Sequence, residues 1–296
     1  MEDSTEKEDV YFKQGSFRAA KGDLNGAIEE WTKVIESNPQ SADAFYNRGM
    51  AYMQKGDFVE ALEDFSKSLE IKPENADAYI NRGLVKSARG DIEGAIEDWN
   101  KAIKMTPTDG RPFNNRGVAK RIIGDIDAAI ADHTRAVEIN PQNRKAYINR
   151  GVAYSQKKEY IKAIADFDKA IQLDPDNSTA YYNRGLVRIY EGDYDGAIAD
   201  YDTTIELNPY DIAAYNNHGI ALWKKGDIEG VIADYTKAIE INPYYPWAYR
   251  NRSVALAIKK DFAGAVKDLE KFIELAPHHP QVSNAKESIE KYKGCL

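Results

Sequence analysis

Whatever chemistry this 296-residue chain performs must rest on four histidines, one cysteine and three rows of polar residues. The histidines are His133, His218, His278 and His279, and no Cys, His or Asp partner recurs at metal-ligand spacing from them. His133 takes a place that is otherwise mostly aromatic, so a packed core ring is expected there. The adjacent His278 and His279 point apart and read as a solvated loop. Cys295 stands alone beside the C-terminus, which leaves neither a disulfide framework nor a thiolate metal site. No GxSxG, HExxH, Walker or GxGxxG pattern occurs, and the glycines are spread along the chain instead of clustering as a phosphate cradle. The expectation is a protein without catalytic residues, metal or cofactor, and so not an enzyme.

The three rows are built differently. Arg48, Arg82, Arg116, Arg150, Arg184 and Arg252 form one, and Asp64, Asp98, Asp132, Asp166, Asp200, Asp234 and Asp268 a second. Asn47, Asn81, Asn115, Asn149, Asn183, Asn217 and Asn251 form the third. A guanidinium at a fixed offset from a carboxylate can make bidentate charged hydrogen bonds. An amide is donor and acceptor at once, which suits it to gripping a peptide backbone whatever its sequence.

The elements that position these rows follow from a period of 34. Pro39, Pro73, Pro107, Pro141, Pro175, Pro209, Pro243 and Pro277 are spaced by 34 without insertion or deletion. With each proline at position 32, repeats run 8–41, 42–75, 76–109, 110–143, 144–177, 178–211, 212–245 and 246–279. Residues 1–7 are read as an N-terminal tail, and 280–296 as a capping helix with a C-terminal tail. Position 4 is aromatic in every copy, from Tyr11 to Tyr249, and position 8 is Gly in seven copies before Ser253. Together with position 11 these lie on one face of a first helix, A. A mid-helix Gly costs about 0.5 to 1 kcal/mol against Ala, so its repeated use implies close helix approach. Gly-Asp at positions 15 and 16 in six copies, Gly22-Asp23 the first, reads as a left-handed stop followed by an N-cap. Helix B then carries Ala at position 20 (Val231 once), an Ile-rich position 21 and a mostly aromatic position 24 that includes Trp31, Phe65 and Trp99. The proline ends it.

These residues and their register resemble the tetratricopeptide repeat, a family known by a 34-residue period and this pattern of aromatic, Gly, Ala and Pro. The resemblance spans residues 8–279 in unbroken register. It implies an all-α, right-handed solenoid or superhelix of stacked antiparallel helix pairs, with the A helices lining a concave wall. It also implies a protein-binding role. Val282, Ala285, Ile289 and Tyr292, with charges between them, read as the helix that caps the last repeat.

On a wheel of about 100° per residue, positions 7 and 23 flank the A/B interface, so a ladder of partly buried Arg-Asp pairs is expected. His218 is expected to face Asp234, and Gln14 to face Glu30. Positions 2, 5, 6, 9, 12 and 13 lie on the opposite side of helix A and are read as the groove. Seven mid-helix Asn at position 6 cost roughly 4 kcal/mol in propensity unless their amides are used. Either each amide bonds the adjacent repeat, or the row holds an extended peptide, as a similar ladder in O-GlcNAc transferase implies. The other groove candidates change along the chain. Asp43, Met50, Met53 and Asp77 come first, then Arg111, Arg121 and Lys145, and finally Tyr182, Tyr190, Trp223, Trp247 and Arg250. Aromatic and Arg residues favour sharper specificity in repeats 6 to 8. A clamp for chaperone tails fits poorly, because position 9 holds no Asn.

Composition bounds the partners. A net charge of −8 disfavours a phosphate-binding surface, so nucleic acid is not an expected partner. No apolar run reaches membrane-spanning length, and Met1 to Asp9 carries five acidic residues where a secretory signal would be basic and then apolar. The reading is a cytoplasmic, monomeric scaffold or adaptor that holds an extended protein segment. Self-assembly as a structural element is the alternative.

Overall fold

The computed structural model describes residues 2–296, and side chains from residue 7 onward; Met1 of the expected tail lies outside the described residues. Among the described residues there are 17 α-helices and no strand. The chain divides into two compact units, residues 1–153 and 154–296. The N-terminal unit holds α1 (Glu2–Ala20), α2 (Leu24–Ser37), α3 (Ala42–Lys55), α4 (Phe58–Ile71), α5 (Ala76–Ala88), α6 (Ile92–Met105), α7 (Gly110–Ile122), α8 (Ile126–Ile139) and most of α9 (Arg144–Gln156). The C-terminal unit holds α10 (Tyr160–Leu173), α11 (Ser178–Glu191), α12 (Tyr194–Leu207), α13 (Ile212–Lys225), α14 (Ile228–Ile241), α15 (Pro246–Ile258), α16 (Phe262–Leu275) and α17 (Val282–Lys293). Each unit is an all-α stack of helix pairs. Helix α1 reaches back over residues that the sequence reading assigned to the tail.

Turn chemistry fixes the pairs. Gly22, Gly56, Gly90, Gly124, Gly192 and Gly226 all have φ between 80° and 87°, the left-handed stop their position demands. Lys158 and Lys260 hold the same place in repeats 5 and 8 with φ of 61° and 64°, a conformation that strains an L side chain. The following Asp caps helix B: Asp23, Asp91, Asp193, Asp227 and Asp261 each accept from the backbone N–H three residues on, at 2.9 to 3.0 Å.

Packing follows the columns. The position-20 alanines are fully buried, and so are Phe65, His133, Phe167 and Tyr201 at position 24. The position-8 glycine makes room for that ring: a Cβ on Gly83 would lie 2.6 Å from Trp99 Nε1, and one on Gly117 would lie 2.7 Å from His133 Cε1. Small residues at positions 3 and 10, such as Ala44, Ala51, Ala78 and Ala119, are buried as well, which widens the apolar face of helix A beyond positions 4, 8 and 11. Neighbouring A helices touch directly, α1 on α3, α3 on α5, α5 on α7 and α11 on α13. Helix α17 lays Ala285 and Ile289 on Val266, Leu269 and Phe272, with Tyr292 stacked 5.7 Å from Phe262. One face of α16 is thereby covered along its length.

Candidate functional site

The Arg and Asp rows meet as a ladder. Arg48 Nε and Nη2 each lie 2.8 Å from the Asp64 carboxylate, and Arg82 makes the same two 2.8 Å bonds to Asp98. Arg116 holds Asp132, Arg184 holds Asp200 and Arg252 holds Asp268 in the same way. These carboxylates are buried, and each guanidinium lies 5.5 to 5.9 Å from the centroid of the position-4 ring of its own repeat. The bond to Asp98 is the chief cause that holds the Arg82 guanidinium above its ordinary pKa. Carboxylates buried and bonded in this way position the helices that carry them.

Each guanidinium has a third arm. Nη1 of Arg48, Arg82, Arg116, Arg150 and Arg252 donates to Thr32, Ser66, Asn100, Thr134 and Thr236, at position 25 of the preceding repeat. Arg184 donates there to Asp168 at 2.5 Å. The ladder therefore ties each repeat to the one before it, a link that the varied chemistry of position 25 hid. His218 takes the arginine's place in repeat 7, with Nδ1 2.8 Å from Asp234 and Nε2 3.5 Å from Asp202. Glu30 corrects the expectation for repeat 1. Gln14 is exposed, and Glu30 is met by Arg18 at 3.5 Å and Lys33 at 3.1 Å.

The histidines divide. His133 is fully buried with Nδ1 3.1 Å from Asn114 Oδ1, and desolvation pushes its pKa from 6.5 to about 4. It is a neutral core ring. His278 is exposed, but His279 is not the free loop residue expected: its ring meets Trp247 edge-on at 4.6 Å. Among the described residues no group of three or more His, Cys, Asp or Glu is arranged to hold a metal.

The asparagine row is half-buried, and its partners follow from position 5 of the preceding repeat. Asn81 donates to Tyr46 Oη at 3.0 Å, Asn149 to Asn114 Oδ1 at 3.1 Å and Asn217 to Tyr182 Oη at 3.0 Å. Where the repeat before offers Phe12 or Ile148, Asn47 and Asn183 turn to the carbonyls of Asp43 and Thr179 in their own helices. Asn251 reaches Tyr235 Oη at 3.3 Å. Bonding to the neighbouring repeat thus explains much of the row. The carbonyl oxygens of Asn47, Asn81, Asn115, Asn149 and Asn183 accept no hydrogen bond among the described residues. Those of Asn217 and Asn251 accept from Asn216 and Arg250.

The remaining candidates occupy varied settings. Asp43, Asp77, Arg111 and Lys145 are exposed, and Arg111 is held by Asp77 at 2.7 Å and Asp109 at 2.6 Å. Arg121 is half-buried, and Met50 and Met53 pack around Phe65. Tyr182 stands edge-on to Tyr201, and exposed Tyr190 stacks on Tyr160. Trp247 is seated against Phe272 and His279, so it serves packing more than an open wall. Trp223 and Arg250 instead line a cleft of about 350 Å³ between α13 and α15, with Tyr235 of α14 also in its wall.

Models of the tetratricopeptide repeat match residues 42–75 and 145–177, residues 76–109, 111–143 and 212–245, and residues 167–199. A related TPR repeat model matches 15–56 and 185–226, so together the matches cover nearly all of 15–245. A search of the curated proteins gives no match. Among solved structures, YrrB, described as a TPR protein with an unusual peptide-binding site, is 26% identical with a TM-score of 0.55, over 65% of this chain and 99% of its own. MamA is 26% identical with a TM-score of 0.53, over 58% of this chain and 93% of its own. A tetratricopeptide repeat protein from Parabacteroides merdae shares the fold at 20% identity, with a TM-score of 0.62 over 86% of this chain and 99% of its own. Among the described residues no helix is long and apolar enough to cross a membrane.

Proposed function

This chain belongs to the tetratricopeptide repeat family, and from that premise we propose that it is a non-catalytic scaffold or assembly adaptor holding an extended segment of a partner protein. The observation that carries the reading is the face of the A helices away from the core. There the Asn47, Asn81 and Asn149 carbonyls of the N-terminal unit keep open acceptor capacity after their N–H groups have met local needs. An extended backbone offers donors to such a row, and ordered amides accept them with little loss of side-chain freedom. The peptide-binding site ascribed to YrrB supports the same use of the fold.

Affinity purification with quantitative mass spectrometry on the full chain tests this, comparing wild type with a variant carrying N81A, N115A and N149A. Partners retained by wild type and reduced about tenfold or more on a variant with an unchanged thermal melt are expected, from a few lost hydrogen bonds of about 0.5 to 1.5 kcal/mol each. Equal recovery by both proteins refutes the amide row as a binding surface. Because α17 covers the face of α16 on which a further repeat would stack, end-to-end association there is disfavoured, and light scattering is expected to give a monomer.

A further inference from the structure

The cleft between α13 and α15 lies in a repeat whose position 5, a place that varies from copy to copy, is short. In repeats 2 and 6 the tyrosine at position 5 lies against the position-24 ring of its own repeat, Tyr46 at 5.8 Å from Phe65 and Tyr182 at 5.9 Å from Tyr201. In repeat 7 position 5 is Asn216, too short to cover Tyr235 in this way. Beside Tyr235 the cleft is walled by Ile220 and Trp223 of α13 and by Val254 of α15. Trp223 and Val254 are each 37% exposed, so the apolar wall is open to solvent.

The polar lining has one sign. Among the described residues Arg250 reaches the cleft with no carboxylate paired to it, its one hydrogen bond being from Nη1 to Asn251 Oδ1 at 3.0 Å. No Asp or Glu lines the cleft, in a chain with 48 of them. Asn251 donates to Tyr235 Oη, which leaves the phenol's own proton available as a donor. Burial pushes the Tyr235 pKa up to about 12, so that proton stays in place at neutral pH. A guanidinium and a hydroxyl donor beside an apolar wall suit a carboxylate attached to an apolar neighbour.

We propose that this cleft recognises an internal acidic residue of the bound segment together with a large apolar residue two positions away. This deepens the scaffold reading and rests on it. In an extended chain residues i and i+2 face the same side, so one points at Arg250 and Tyr235 while the other lies on Trp223 and Val254. Because the Asn217 and Asn251 amides are engaged at both ends, recognition here falls to side chains of the partner.

Random 12-residue peptides displayed with their C-termini fused to the carrier, selected on the full-length protein, test the proposal. The wild-type pool is expected to be enriched in Asp or Glu two positions from Leu, Ile or Phe. A C-terminally amidated peptide from that pool is expected to bind R250Q and N216Y about tenfold or more weakly by fluorescence anisotropy, the scale of one charge-assisted hydrogen bond. R250Q removes the charge and leaves the space. N216Y fills the space as repeats 2 and 6 do and leaves the charge, so misfolding of one variant does not rescue the idea. A pool enriched without acidic residues, or a peptide whose affinity survives both variants, overturns the cleft and leaves the groove standing. Peptides that bind only as free C-terminal acids overturn it in favour of a chain terminus. A wild-type pool with no enrichment overturns the groove reading and this proposal with it.

Discussion

His133→Phe should remove a defined share of the protein's acid sensitivity. His133 is fully buried, and desolvation lowers its pKa from 6.5 to about 4, so the folded state favours the neutral ring. As pH falls, the unfolded chain takes up the proton first, and stability is lost from about pH 6.5 down through the folded value. Linkage puts that loss at about 2 kcal/mol at pH 5 and about 3 kcal/mol at pH 4, relative to pH 8. Phenylalanine occupies the same position in repeats 2 and 5, where Phe65 and Phe167 are fully buried, so the variant has a ring that fits. At pH 7 it loses the contact with Asn114, worth about 1 kcal/mol, and relieves the unpartnered Nε2. Urea unfolding followed by far-UV circular dichroism, at pH 8, 7, 5 and 4, would measure both proteins. Carboxylates that titrate in the same range cancel in the difference between them. The stability of the variant relative to wild type should rise by about 2 kcal/mol between pH 8 and pH 5. A difference that stays constant over that range refutes the assignment of a neutral, desolvated ring.

Other expectations rest on neighbouring features. Asp98→Ala strands Arg82 and Lys86, which lie 2.8 and 3.0 Å from the carboxylate, and should lower stability by about 3 to 5 kcal/mol; an unchanged thermal midpoint would show the ladder to be ornamental. Lys158→Gly and Lys260→Gly relieve left-handed backbone and should each stabilise by about 1 kcal/mol in denaturant titrations, whereas a loss would mean that the lysine side chains matter more than φ. At His218 the sign is opposite to that at His133. Burial opposes the charged form, but the bond to Asp234 together with the charges of Asp234, Asp202 and Asp227 outweighs it and raises the pKa, so its contribution is complete below about pH 6.5 and lost as pH rises through the folded value. His218→Arg should therefore gain about 1 kcal/mol over wild type at pH 9 and change little at pH 5, and equal gains at both pH values would contradict the charge argument.

The helix pairs were legible because nothing interrupts the period, so turn residues, caps and rings could be compared across eight aligned copies. The Arg-Asp ladder was legible for the same reason, since both partners keep their identity in most copies. Its third arm was not, because the acceptor is Thr32, Ser66, Asn100 or Asp168 and a column read for identity misses one conserved only in hydrogen-bonding capacity. The Asn row was visible as a row, but its partners depend on the residue 35 positions earlier, a pairing across repeats that no single helix wheel displays. Gln14 was assigned to Glu30 by register alone. Arg18, one helical turn on, is longer and charged, and it reaches the buried carboxylate from position 11, the place from which Lys86, Lys120 and Arg188 reach Asp98, Asp132 and Asp200. His279 was read from its neighbour in sequence, whereas its setting is decided by Trp247, more than 30 residues away.

The third arm of each guanidinium also bears on how such a stack fails under load. Prising two adjacent repeats apart means breaking a charged hydrogen bond at the edge of the crack, and the arginine then keeps its own aspartate but loses the anchor on the other bank. Each seam is thus riveted as well as glued. Rupture is favoured at seams whose rivet is a neutral hydroxyl, such as Thr32 or Ser66, and opposed where the rivet is the carboxylate of Asp168. A segment laid along several repeats would add its own stitches to these, so cargo and scaffold would resist the same tear.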